Sequence, residues 1–223
     1  MRKILLFSFL LFKCMDSSAQ EFKIDASYTY LYSSQLDKAI QSYNFTRPIL
    51  TEKQPLLRHG LNASASYIFR NDTHFKHGFN FSYAYFRSWA ENKKFSNQLN
   101  LHVANLGYLL HYENTEKCRG FYSDLIVSAT SSLMYRVLND EPFVYDETLS
   151  KAFGIGGAVQ VKFGYSFQLK NTCYLSPFLS FAYTPYLFSP KNEAVINQTK
   201  GLVCRNWTEI LTAQFGLTFH VRQ

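Results

Sequence analysis

Phe153-Gly154-Ile155-Gly156-Gly157-Ala158-Val159-Gln160-Val161-Lys162-Phe163-Gly164-Tyr165-Ser166-Phe167-Gln168-Leu169-Lys170 sorts into two classes by parity. Odd positions carry Phe, Ile, Val, Tyr and Leu with one Gly; even positions carry Gly, Ala, Gln, Ser and Lys. Successive side chains of a β-strand point to opposite faces, so this stretch has one bulky apolar side and one small or polar side. A helix would mix the two classes around its surface.

Working outward, the same period of two recurs seven more times. It predicts strands over 22–32, 61–70, 74–86, 98–112, 121–137, 174–183 and 206–221. In 98–112 the pattern starts with Leu99, Leu101 and Val103 opposite Gln98, Asn100 and His102. It blurs after Asn105, where a bulge is expected. The segment 174–183 is interrupted by Pro177. No internal repeat, low-complexity tract, interdomain linker or strong helix signature is seen. The connections 71–73, 114–119 and 171–172 are short, whereas 33–57, 88–97, 138–151 and 185–205 are longer. Eight strands with short turns on one rim and longer loops on the other are the organisation of a membrane barrel.

Which face is wet follows from residue size. The polar class is rich in Gly, Ala, Ser, Thr and Asn, which fit the narrow interior that eight strands leave. The apolar class is crowded with Phe, Tyr, Leu and Val, whose bulk suits acyl chains. Several segments exceed the ~9–11 residues that cross the hydrocarbon. The expected fold is therefore an all-β, eight-stranded antiparallel up-and-down transmembrane β-barrel. The competing reading is a secreted, lipocalin-like barrel with the apolar face inward around an apolar ligand. Enclosure of Val159, Phe163 and Phe215 would select it.

Arg2 and Lys3, the apolar run 4–12 and Ser17-Ser18-Ala19 read as a secretory signal peptide over 1–19, leaving 20–223 as one barrel domain. Net charge is +7; Arg2, Lys3 and Lys13 against Asp16 contribute +2 of it, so the mature chain carries +5. With no dense basic cluster beyond Lys93-Lys94, nucleic acid is not an expected partner. Contact with anionic headgroups is a use for the excess.

The inward polar face carries Lys23, Asp25, Arg70, Lys76, Asp124, Arg136 and Lys162. Buried charges need partners, so these are expected to form a structural network that plugs the lumen. Cys118 and Cys173 fall at neighbouring strand ends on one rim, where a disulfide is geometrically allowed; Cys204 falls on the other. His74, His77 and His111 match no zinc spacing. His102 and Asn105 partly match the His-x-Ser-Asn pattern of lipid A deacylases, but position 104 is Ala, so the nucleophile is missing and His102 is expected as a lumen residue. No catalytic, cofactor-binding or metal residue is assigned. Tyr28, Tyr30, Tyr83, Tyr85, Tyr165, Tyr183 and Trp207 are candidates for aromatic girdles.

The processing site Ser18-Ala19-Gln20 and the terminal strand Phe215-Gly216-Leu217-Thr218-Phe219-His220-Val221 resemble those of small outer-membrane barrels of the OmpA/OmpX type, and the PorT-like barrels of Bacteroidetes in particular. The chain departs in ending Val221-Arg222-Gln223 rather than on an aromatic residue. The resemblance implies a Gram-negative outer-membrane location with both termini periplasmic. The expected role is non-catalytic: envelope integrity, surface binding through the loops, or an accessory part in an envelope assembly such as a secretion machine. Expected partners are outer-membrane lipid and lipopolysaccharide, and an envelope protein through loops 33–57 and 185–205. A lipid-modifying enzyme is the alternative function.

Overall fold

A computed structural model describes residues 21–45, 53–69, 74–92, 95–113, 120–140, 143–170, 172–188 and 207–222. The expected signal peptide, Arg70, Cys118 and Cys204 lie outside them. The fold is a closed barrel, β1-β2-β3-β4-β5-β6-β7-β8, with each strand antiparallel to its chain neighbours and β1 closing on β8. The strands are β1 (Glu21–Tyr32), β2 (His59–Phe69), β3 (Phe75–Asn92), β4 (Phe95–Glu113), β5 (Gly120–Asp140), β6 (Phe143–Lys170), β7 (Cys173–Phe188) and β8 (Trp207–Arg222).

The predicted sidedness holds where the sequence was clearest. β1 alternates buried and exposed at every residue, with Phe22, Ile24, Tyr28 and Tyr30 outward. Val159, Phe163 and Phe215 are 47%, 52% and 66% exposed. The bulky class faces out, so the lipocalin-like arrangement is overturned. Across β3 the outward apolar run goes from Phe75 to Tyr85. Ten residues rise about 33 Å along the strand, or about 25 Å along the axis of a barrel whose strands tilt by about 40°.

Three expectations are corrected. First, 88–97 and 138–151 are not loops. The β3–β4 ladder continues to Asn92↔Phe95 and the β5–β6 ladder to Asp140↔Phe143, making two long hairpins beyond the belt. Second, β4 carries no bulge, and its register with β3 and β5 is unbroken. Its polarity inverts instead: Leu99, Leu101 and Val103 are buried inside, and Gln98, Asn100 and His102 lie on the outer side with Leu106, Tyr108 and Leu110. Third, the 33–57 connection contains a helix, α1 (Ser34–Phe45). Ser33 caps it, its hydroxyl accepting from the Leu36 amide at 3.4 Å.

The second and third corrections have one cause. Leu36 and Ile40, one turn apart on α1, enter the barrel mouth and pack with Leu31, Leu57, Phe86, Leu101, Met134 and Ile210. The upper lumen is therefore an apolar core, and strand positions there need apolar residues inward and polar ones outward. Gln54 ties the returning segment down. It bonds Asn44 through both its backbone groups, and its side-chain amide bridges Ser88 at 2.6 Å and Asn97 at 2.7 Å.

Candidate functional site: the closed lumen

From the terminus-bearing rim upward, the lumen is built in three layers. The first is ionic. The Glu21 carboxylate lies 2.8 Å from His220 Nδ1, 3.3 Å from Arg222 Nε and 3.4 Å from Lys76 Nζ. Glu113 accepts from Arg222 at 2.5 Å and Lys76 at 3.2 Å. Deeper, Lys162 donates to Asp25 at 2.8 Å, and Asp25 also accepts from Thr218 at 2.6 Å and Ser64 at 2.5 Å. Asp124 lies 2.5 Å from His111 Nδ1, 3.8 Å from Lys23 and 3.9 Å from Lys162. Carboxylates Glu21, Asp25, Glu113 and Asp124 thus balance cations Lys23, Lys76, Lys162 and Arg222. Tyr122 completes the seal, its ring 4.5 Å from the Lys23 ammonium.

Tyr122 needs the glycine opposite it. Tyr122 and Gly164 are cross-strand partners, and a Cβ at 164 would collide with the Tyr122 ring. Gly164→Val is expected to cost about 1–3 kcal/mol, the usual penalty of overpacking. A lowered urea midpoint of the refolded barrel would show it, and an unchanged midpoint would disprove the packing argument.

The second layer is neutral and polar. Asn62, Gln160, Ser180 and Gln214 exchange hydrogen bonds of 3.0–3.3 Å, and Asn105 links Ser82 to Thr130. Above it sits a small cavity of about 30 Å³ bordered by Asn62, Asn105, Gln160, Gln214, Phe86 and Ile210. That is room for about two waters. The third layer is the apolar mouth closed by α1.

Of the residues expected in the network, Lys23, Asp25, Asp124 and Lys162 come together at the centre, and Lys76 joins at the rim. The side chain of Arg136 and all of Arg70 lie outside the description. Sequence reasoning missed Glu21, His111, Glu113, His220 and Arg222. Parity placed His220 inward, but its partner Glu21 is 199 residues away and meets it only through the β1–β8 closure. His102, expected in the lumen, is outside it on β4, bonded to Tyr83 and Tyr135. Cys173 carries a free thiol, and Cys118, whose position allows a disulfide with it, lies outside the described residues.

Two arrangements invite a chemical reading. Ser176 Oγ lies 3.0 Å from His220 Nε2, whose Nδ1 faces Glu21, the order of a hydrolytic triad. Ser176 is fully enclosed, however, and the Glu21 carboxylate is held by Lys76 and Arg222, so no acyl group can approach the hydroxyl. Glu21, His111 and Glu113 place ligand atoms within 4.8 Å of one another. Lys76 and Arg222 already occupy the carboxylate oxygens, and a divalent ion there would be repelled by both. The geometry is that of an ion-paired plug.

On the outer wall, aromatic residues collect at both ends of the apolar belt. Tyr28 and Tyr30 surround His59, and Tyr83, Tyr85 and Tyr135 surround His102, at the α1 end. Phe69, Phe79, Tyr108, Tyr112, Phe121 and Tyr165 pair at the other end.

No protein-family model and no curated protein matches the sequence. Among solved structures, the chain is similar to the attachment invasion locus protein Ail of Yersinia pestis, crystallised with the heparin analogue sucrose octasulfate (11% identity, 91% of this chain and 99% of that one, TM-score 0.47). It is similar to Neisserial surface protein A (13%, 91% and 96%, 0.45). It is also similar to the outer membrane protein OprG from Pseudomonas aeruginosa (11%, 91% and 96%, 0.46).

Proposed function

We propose that the protein is a closed, non-catalytic barrel of the bacterial outer membrane that acts through its outer rim rather than through its bore. The observation that carries this is a lumen shut twice, by balanced ion pairs at one end and by α1 at the other, inside a wall that is apolar on the outside. More than thirty large apolar or aromatic side chains are exposed among the described residues. A soluble monomer leaves patches of only a few hundred Å², whereas a lipid-facing belt flanked by aromatic girdles accounts for this surface.

In this reading the short-turn rim, with Glu21 and Arg222, faces the periplasm. The two long hairpins and α1 face the cell exterior, where rigidly supported segments are suited to contact an envelope or surface partner; the expected 185–205 loop begins inside β7, which runs to Phe188, and its remainder lies outside the described residues. Lipid and lipopolysaccharide surround the belt. The PorT-like kinship belongs to the same proposal, as one route to an accessory role in an envelope assembly.

Planar-bilayer recording tests the plug. Reconstituted full-length barrel is expected to give negligible conductance. A steady open pore of porin size would overturn the reading. Recovery of the native chain in the detergent-free soluble fraction would overturn the membrane assignment itself.

A further inference from the structure

Where β4 inverts, its outer side forms a three-by-three grid with β3 and β5. The cross-strand rows are Tyr85–His102–Leu133, Arg87–Asn100–Tyr135 and Trp89–Gln98–Val137, from the belt upward. The rows begin at the upper aromatic girdle and rise over about two residue pairs, some 13 Å along the strands. This is the depth at which acyl chains give way to headgroups.

The grid is ordered by its own contacts. Arg87 donates to Gln98 at 2.8 Å while its guanidinium lies 4.5 Å from the Trp89 ring centre. Gln98 and Tyr85 both donate to the Asn100 carbonyl, at 2.6 and 2.7 Å. The Asn100 amide nitrogen, at the centre, is covered and makes no hydrogen bond. Asn100 is wholly covered and serves to hold Gln98 and Tyr85 in place, so the groups open to a ligand are those around it. Arg87 is exposed and retains further N–H donors suited to a phosphate fork. Trp89, 48% exposed, offers a flat ring for the C–H face of a sugar.

We propose that this grid is a binding site for the phosphorylated sugar headgroup of an outer-leaflet glycolipid. Arg87 grips the phosphate, Trp89 stacks on the sugar, and the amide of Gln98 meets its hydroxyls. The acyl chains then run down the adjoining belt past Tyr83 and Phe81, on the same wall. The phosphate and the sugar are both required: a phosphodiester lipid without a sugar satisfies only Arg87.

The inference rests on the membrane reading, so the test separates the two. Full-length barrel folded in detergent is titrated with purified diphosphoryl lipid A and, separately, with phosphatidylglycerol, and bound lipid is counted by native mass spectrometry. Lipid A is expected to bind at least tenfold more tightly than phosphatidylglycerol. Arg87→Ala/Trp89→Ala is expected to abolish that preference. Leu179→Ala/Phe181→Ala, on the opposite wall, should leave it intact. All three proteins should keep the heat-modifiable migration of a folded barrel, because Arg87 and Trp89 are exposed. Equal binding of the two lipids, or a preference that survives Arg87→Ala/Trp89→Ala, would overturn the site. Failure of the folded wild type to float with lipid vesicles would instead overturn the membrane reading, whatever the micelle titration shows.

Discussion

Asp25→Ala should destabilise the barrel by about 3–5 kcal/mol, the cost of stranding a buried partner charge. Asp25 is 5% exposed and accepts from Lys162, Thr218 and Ser64. Without it, Lys162, 2% exposed, keeps a carboxylate only at 3.9 Å, in Asp124, which Lys23 and His111 already share. The lumen also gains one uncompensated positive charge. Lys162→Met in the same chain removes that charge and fills the space beside Phe178, over which the ammonium now lies at 4.2 Å. The double variant should recover most of the loss, because the pair is worth far less than the penalty for breaking it. Urea titration in vesicles, scored by the folded and unfolded bands of an unheated gel, measures both. A single variant within 1 kcal/mol of wild type would mean that the lumen charges are solvated and not a sealed network.

The second large effect concerns α1. Leu36→Asp/Ile40→Asp removes two side chains that are 3% and 1% exposed in the apolar mouth and puts charge in their place. Each apolar truncation alone is worth about 2–5 kcal/mol. The docking equilibrium of α1 should therefore shift by several kcal/mol, roughly a thousandfold or more at 1.4 kcal/mol per decade. The readout is trypsin cleavage after Lys38, which sits on the helix. It should accelerate by that order, while the barrel itself stays heat-modifiable because β1 to β8 close without the helix. Conductance should remain negligible, since the ionic layer at the far end is untouched. Cleavage at the wild-type rate would show that the helix is held by something other than its apolar stripe. The Asp37–Arg58 ion pair at 2.6 Å would be the next contact to test.

The limits of the sequence reading lie where local pattern and tertiary surroundings disagree. β4 is the clearest case. Leu99, Leu101 and Val103 were expected outward because apolar residues elsewhere face out, and the break at Asn105 was put down to a bulge. The chain keeps strict alternation; what changes is the medium on either side of it. Above Ala104 the interior is the oily mouth around α1 and the exterior has left the apolar belt. Helix α1 was missed because its apolar stripe, Leu36, Ala39, Ile40 and Tyr43, spans only about two turns and has only two large aliphatic residues. Such a stripe gains stability only once a barrel mouth is there to receive it. The long hairpins were missed because their strand ends, rich in Asn, Asp, Glu, Ser and Lys, lose the period of two and read like loops.

Parity marked eight strands and put Lys23, Asp25, Lys76, Asp124 and Lys162 on one polar face, because a strand side chain has only two directions to take; residue size turned that face inward, and the alternation of short and long connections pointed to a closed barrel. Which charges meet, and that Glu21, Glu113, His111, His220 and Arg222 join them, was settled only when β1 paired with β8 and brought residues some 200 apart to one rim. The seal at the mouth and the polar grid above the belt were likewise decided by the assembled barrel, since each depends on which medium a given height of the wall faces, and no stretch of the chain carries that information by itself.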